Sequence, residues 1–281
     1  MVSRGVPTIS VEDLLKFPLE KTVAEITDGI RGFLAETGRR LLVIGVSGGL
    51  DSSVALTLLA KSVPRDRILA LVMPDTRVNK PSDTVDAVEL AGSLGVSYRV
   101  IPIDSIVDSY LVLPGISGRE RVPLGNLRAR IRMSILYLYA NALNGVVIGT
   151  SDRSELLIGY FTKYGDGASD FLPQASLYKT QLRRLARYLG LPEKIVSKPS
   201  SPALWENHYA EEELGMKYED IDRVLYALFD MRMGVEEAAN ATGLPVSVVE
   251  RVLSLHRSTR HKRQGFRYVR LSWVEDPLPE I

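Results

Sequence analysis

The sequence predicts an α/β protein: a doubly wound, mainly parallel sheet carrying a helical extension towards its C-terminal end. Three observations support this. Short apolar-rich runs recur at 41–46, 68–73, 96–101 and 146–148. The first, Leu41-Leu42-Val43-Ile44-Gly45-Val46, is continuous, as suits a strand covered on both faces. Helix-length stretches separate the runs, and this alternation builds parallel sheets through right-handed crossovers.

Each element has a local reason. Leu14, Leu15, Phe17, Val23, Ile26, Ile30 and Phe33 fall near helical spacing, which predicts one amphipathic helix over 11–37, ended by Gly38. After the first strand, Asp51 to Ser62 reads as a helix closed by Pro64. Ile68 to Met73 is the second strand, Ser82 to Leu94 a helix, and Val96 to Ile101 the third strand. Arg121 to Asn144 is a long helix stopped by Asn144-Gly145, and Val146-Val147-Ile148 is the fourth strand. The polar, glycine-rich stretch from Phe161 to Phe171 is a loop, Leu177 to Leu189 a helix, and Lys198 to Ala203 another loop. From Glu211 the chain is mostly helical, with turns near Gly234, Gly243-Leu244-Pro245 and Gly265. With no internal repeat, the expectation is a single domain over 1–281, including a helical extension from about 211.

Composition narrows the function. The chain has 281 residues, 45% apolar and 25% charged, with a net charge of +1. Neither a nucleic-acid-binding nor a membrane-binding surface is expected from that balance. The absence of cysteine excludes disulfides, thiolate metal sites and cysteine nucleophiles. Residues 1–10 lack the apolar core of a signal peptide, and no apolar run approaches the roughly 18–20 residues of a membrane span, so a cytoplasmic location is expected. The lack of cysteine and scarcity of Asn and Gln fit a heat-adapted source and compositional drift equally.

In such sheets ligands sit beyond the carboxyl ends of the strands. There the sequence places Ser47-Gly48-Gly49-Leu50-Asp51-Ser52. Glycines let backbone approach a ligand closely, and the following helix aims free N–H groups at the same spot. Ser47 and Ser52 add hydroxyl donors, so the loop is suited to phosphate. Asp51 repels phosphate directly but suits Mg²⁺, which prefers carboxylate oxygen and brings phosphate oxygens with it. No Gly-Lys-Ser/Thr follows, so this is not a Walker loop. The duller reading is a capped β–α turn.

The run resembles the phosphate loop of the ATP pyrophosphatase, or PP-loop, family, and so implies an adenine nucleotide alpha hydrolase-like fold and cleavage of ATP between its α and β phosphates. Further motifs narrow the resemblance. They are Gly125-Asn126-Leu127-Arg128-Ala129-Arg130, Gly149-Thr150-Ser151-Asp152-Arg153-Ser154-Glu155, Thr162-Lys163-Tyr164-Gly165-Asp166-Gly167, Leu177-Tyr178-Lys179-Thr180 and Lys198-Pro199-Ser200-Ser201. Their order and spacing are similar to the ammonia-dependent NAD synthetases from about Leu41 to Tyr218, and again at His261-Lys262.

That resemblance implies the reaction: the carboxylate of deamido-NAD attacks the ATP α-phosphate, pyrophosphate leaves, and ammonia displaces AMP. It implies Mg²⁺ on Asp51 and Glu155, with Asp51 and Lys179 catalytic. It implies ATP binding by Gly45, Val46, Ser47, Gly48, Gly49, Leu50, Asp51, Ser52, Thr150, Lys179 and Ser201, and deamido-NAD binding by Arg130, Lys163, Asp170, His261 and Lys262. It also implies a homodimer with a shared deamido-NAD site, for which Ile131, Ile135, Leu138 and Leu143 offer an interface face or, alternatively, internal core. With neither a glutamine-hydrolysing domain nor a cysteine in the chain, the ammonia is expected from solution or a separate protein. Plainer roles exist: Glu155 as a helix cap, Arg130 as a surface side chain, His261-Lys262 as part of the exposed basic run 257–263. Two positions depart from the family. Asn207-His208-Tyr209-Ala210 stands where Gly-Gln-Thr-Asp is usual, and Val72 where many bacterial members have Arg, with Arg77 as a candidate substitute. Another PP-loop adenylating enzyme, or a nucleotide-binding module without catalysis, remain the alternatives.

Overall fold

A computed structural model describes residues 8–265, 267–269 and 271–273. The chain enters through two helices, α1 (Val11–Leu15) and α2 (Leu19–Thr37). The single helix expected over 11–37 is therefore broken. Pro18 has no N–H to continue the ladder and biases Phe17 away from helical geometry, so α2 restarts with Pro18 as its N-cap. Gly38 ends α2 in the left-handed conformation at φ 62°, as its lack of a side chain favours.

The sheet is made of β1 (Leu41–Gly45), β2 (Ile68–Val72), β3 (Ser97–Val100) and β4 (Gly145–Ile148). All pairings are parallel, in the order β3-β2-β1-β4. Leu42 lies opposite both Ile68 and Val146, so β1 is central. The chain runs outwards from β1 to β3, then returns to the other side of β1 for β4. The order therefore reverses between β1 and β4, the place where open α/β sheets bind ligands. The central strands are buried, whereas the four residues of β3 are exposed, as an edge strand permits.

Helices cover both faces. On one side α2, α3 (Leu50–Ser62), α4 (Pro81–Ser93), α8 (Lys179–Tyr188) and α9 (Glu193–Val196) contribute to a core that includes Ile44, Val54, Leu58, Leu182 and Ile195. On the other, α5 (Asp104–Leu111) and α6 (Arg121–Ala142) pack Val107 and Ile131 against Val43, Leu71 and Val147. Neither α5 nor α7 (Arg153–Ile158) was expected from periodicity; each spans only about two turns, too few for an apolar stripe to show.

The C-terminal helices are α10 (Ala210–Leu214), α11 (Tyr218–Leu225), α12 (Val235–Thr242) and α13 (Val246–Ser258), with one π-helical turn at Tyr226–Asp230. They form a second core with Leu14 of α1 and Ile158 of α7. No described helix is long and apolar enough to cross a membrane.

Candidate active site

The loop after β1 is shaped by Gly48. Its φ is +78°, and a Cβ there would lie 2.1 Å from the carbonyl oxygen of Asp83 at the start of α4. Only glycine tolerates both the conformation and the approach. Gly49, at φ −84°, is the N-cap of α3. Within the loop the Ser47 N–H donates to Ser52 Oγ (3.1 Å), and the Gly49 N–H donates to Ser47 Oγ (3.3 Å). Lys198 braces it from the Lys198-Pro199-Ser200-Ser201 stretch: its Nζ donates to the Gly48 carbonyl (2.9 Å) and pairs with Asp83 and Asp86.

Beside the loop lies a buried charge cluster. The side chain of Lys179, at the first turn of α8, is fully buried. Its Nζ lies 2.6 Å from Asp51 Oδ1, 3.0 Å from Asp152 Oδ2 and 2.8 Å from Glu155 Oε1. The partners come from three places: Asp51 from α3, Asp152 as the N-cap of α7, and Glu155 one turn into it. Glu155 is both cap and cluster member. Its N–H donates to Asp152 Oδ1 (2.9 Å) and its Oε2 accepts from the Asp152 N–H, while Oε1 faces Lys179.

Burial alone would lower the pKa of Lys179, but Asp152, Asp51 and Glu155 outweigh it and hold the ammonium well above its usual value. Glu155 is driven well above the usual carboxylate range, first by burial and then by the charges of Asp152 and Asp51, against the pull of Lys179. Asp152 shifts the same way, again chiefly by burial. Three carboxyls crowded around one ammonium would carry surplus negative charge if all were ionised, and the raised values of Glu155 and Asp152 answer that crowding as well as their burial.

A second layer holds the cluster. Ser154 Oγ accepts from the Lys179 N–H (2.9 Å) and donates to Asp222 Oδ1, while the Thr180 N–H donates to Asp222 Oδ2 (2.9 Å). Asp222 is fully buried and its pKa is pushed up to about 7 by that burial, against the hydrogen bonds that favour its charged form. The ring of Tyr218 lies 5.2 Å from Lys179 Nζ, and its buried hydroxyl has no hydrogen-bond partner among the described residues. Gln174, fully buried, donates from Nε2 to the carbonyls of both Asp51 and Thr150 and so ties the β1 and β4 loops together.

The structure thus brings together Ser47, Gly48, Gly49, Asp51, Ser52, Thr150, Glu155 and Lys179. Gly45, Val46 and Leu50 are backbone neighbours of the same loop, with the Val46 N–H donating to the Leu71 carbonyl. Ser201 lies in the neighbouring 199–209 segment and donates to the His208 carbonyl. The expected deamido-NAD residues do not join the cluster through any hydrogen bond. Arg130 is exposed on α6 and donates to the Lys163 carbonyl (3.3 Å). Asp170 accepts from the Val147 N–H (2.7 Å) and from Tyr137 Oη (3.1 Å), bordering β4. His261 is exposed, whereas Lys262 Nζ donates to the carbonyls of Gly159 and Phe161, both at 2.7 Å.

The face Ile131, Ile135, Leu138 and Leu143 divides in two. Ile131 is core and Ile135 packs against it, while Leu138 and Leu143, the latter just past the end of α6, remain exposed. The guanidinium of Arg77, the candidate substitute for an Arg at Val72, pairs with Asp75, Asp104 and Asp108.

Sequence reasoning assigned no role to Asp152, Gln174, Lys198, Tyr218 or Asp222. Asp152 and Lys198 sit inside motifs already recognised, so proximity to Glu155 and Ser201 was their signal. The other three come from distant stretches with no local mark.

Comparison with known proteins follows the same line. The family described as NAD synthase matches residues 22–265. The NH(3)-dependent NAD(+) synthetase of Staphylothermus marinus is 53% identical over 273 residues, 97% of this chain and 99% of that protein. That of Hyperthermus butylicus is 55% identical over 255 residues, covering 91% and 92%. Among solved structures, the NMN synthetase from Francisella tularensis superposes with a TM-score of 0.79 at 32% identity, covering 91% of this chain and all of that one. The NH3-dependent NAD synthetase from Campylobacter jejuni, in complex with nitrate, gives 0.76 at 31% identity and covers 90% and 100%.

Proposed function

The chain belongs to the NAD synthase family, and from that premise we propose that it amidates deamido-NAD to NAD with ATP and free ammonia, through an adenylated carboxylate. The observation that carries this reading is the Lys179 cluster, set against the glycine loop where the strand order reverses. The chemistry needs charge neutralised on a triphosphate and an attacking carboxylate while water is kept out.

The chain's own groups match that need. The N–H groups at the start of α3 and the hydroxyls of Ser47 and Ser52 suit the phosphates of ATP. Lys179 supplies a point charge for them. Asp51, Asp152 and Glu155 would hold Mg²⁺: one oxygen from each lies within 4.8 Å of the others, and such an ion prefers carboxylate oxygen. When bound, such an ion draws charge from the phosphate oxygens. Arg130, Lys163, Asp170, His261 and Lys262 remain the proposed deamido-NAD residues. Their distance in contacts from the cluster fits an acceptor that spans from the adenylation centre to the edge beyond β4. The exposed Leu138 and Leu143 of the α6 region support a homodimer there. We place the enzyme in the cytoplasm.

The test is mass-spectrometric detection of NAD formed from deamido-NAD, ATP and ammonia, with pyrophosphate release depending on both nucleotides. Glutamine in place of ammonia should give no product; equal turnover from glutamine would overturn the ammonia assignment. The Francisella tularensis match supports a second reading, in which the mononucleotide is the acceptor. Faster pyrophosphate release with nicotinate mononucleotide than with deamido-NAD would favour it.

A further inference from the structure

The centre of the Asp51–Asp152–Glu155 cluster is filled by the ammonium of Lys179. The three carboxylate oxygens stand 2.6, 3.0 and 2.8 Å from Nζ. Magnesium holds its oxygens at about 2.0–2.1 Å, so an ion at the Nζ position would be roughly half to one ångström too far from each. Nζ fills the space between the oxygens that the ion would need, and the two cannot share it.

Two further observations bear on where the ammonium goes. Asp152 Oδ2 is fully buried and faces the Lys179 ammonium at 3.0 Å, with no other side-chain or backbone partner among the described residues. The face of Tyr218 lies 5.2 Å from Nζ, and of the three carboxylates Asp51 is the most exposed, at 27% against 0% for Asp152 and 18% for Glu155. The open direction is therefore towards Asp51 and the start of α3.

We propose that Lys179 is the resident counter-ion of the Asp51–Asp152–Glu155 cage, and that a divalent cation can bind there only by displacing its ammonium towards the phosphate loop. The displaced ammonium then lies beside Gly48 and Ser47, where the triphosphate is expected. Metal arrival and release of the lysine become one event, so the metal-free site holds its lysine back from phosphate. The inference rests on the proposal that this cage takes a divalent cation.

Reductive methylation of the full-length wild-type protein, read by peptide mass spectrometry, tests it without a mutation. Without metal, Lys179 should resist labelling because it is fully buried. Saturating Mn²⁺ should make it label at least tenfold faster, and adding a non-hydrolysable ATP analogue with Mn²⁺ should protect it again. In parallel, electron paramagnetic resonance titration of Mn²⁺ should show tighter binding to Lys179→Met than to wild type when no nucleotide is present. Mn²⁺ that binds wild type while Lys179 stays as protected as before overturns the displacement alone. If Mn²⁺ binds neither protein, both the displacement and the metal reading fall.

Discussion

Lys179 depends on residues far from it in the chain. Asp51 lies over a hundred positions away, and each of the three carboxylates relieves part of the cost of burying the ammonium. Removing the one at the mouth should spare the fold, because Asp152 and Glu155 still pair the lysine. Asp51→Asn is expected to cut pyrophosphate release by roughly a hundredfold or more while melting within a few degrees of wild type. Normal release would take Asp51 out of the site. Asp222 makes a pH prediction. Its pKa is about 7 in the folded protein, against an ordinary 3.8, so the folded state binds this proton more tightly than the unfolded chain. The carboxyl therefore withdraws stability as pH rises from about 4 through about 7, by about 1.4 kcal/mol per pH unit within that window. Asp222→Asn should remove this slope, so urea unfolding from pH 4 to 8 should show the variant gaining on wild type as pH rises. A constant difference would contradict the shift.

At the scale of elements, the 199–209 segment, where the sequence was expected to depart from its family, is firmly held. Arg128 donates to the Leu204 carbonyl (3.0 Å), and a Cβ on Gly125 would lie 2.9 Å from Leu204, so α6 forms a close seat for it. Trp205 stacks on His208 with ring centroids 3.4 Å apart, and His208 Nε2 lies 2.7 Å from Glu213 Oε2, which also accepts from Tyr160 Oη at 2.6 Å. The imidazole thus anchors the segment to α10 and the loop after α7. His208→Ala should free Trp205, seen as a shift in its fluorescence and faster amide exchange over 199–209. Because Ser201 donates to the His208 carbonyl, KM for ATP should rise severalfold with less change in kcat. An unchanged exchange pattern would mean that Arg128 and Gly125 suffice.

For the molecule as a whole, several large apolar side chains stand in solvent at separate places. Leu138 is 66% exposed on α6, with Val122 at 56% on the same helix and Val112 at 82% just after α5. Singly exposed apolar residues need no partner, so the proposed homodimer contact at Leu138 is decided by substitution. Leu138→Asp should shift the protein towards monomer in sedimentation equilibrium and leave its secondary structure intact. An unchanged mass would place the interface elsewhere.

By itself the sequence determined the parallel α/β class, the four strands and the glycine loop, because these depend on local patterns: apolar runs, alternation with helices, and a glycine where positive φ is needed. It also named Asp51, Glu155 and Lys179, since each stands in a short motif. It misjudged 11–37 as one helix, where a single proline decides against an otherwise unbroken stripe. Only the tertiary structure decided that Asp152 completes the cage, that Tyr218, Asp222 and Gln174 support it, and that half of the supposed interface face is core. Those outcomes depend on which distant segments meet when the chain reverses between β1 and β4. A buried charge reveals its partners only after the fold has excluded water from around it.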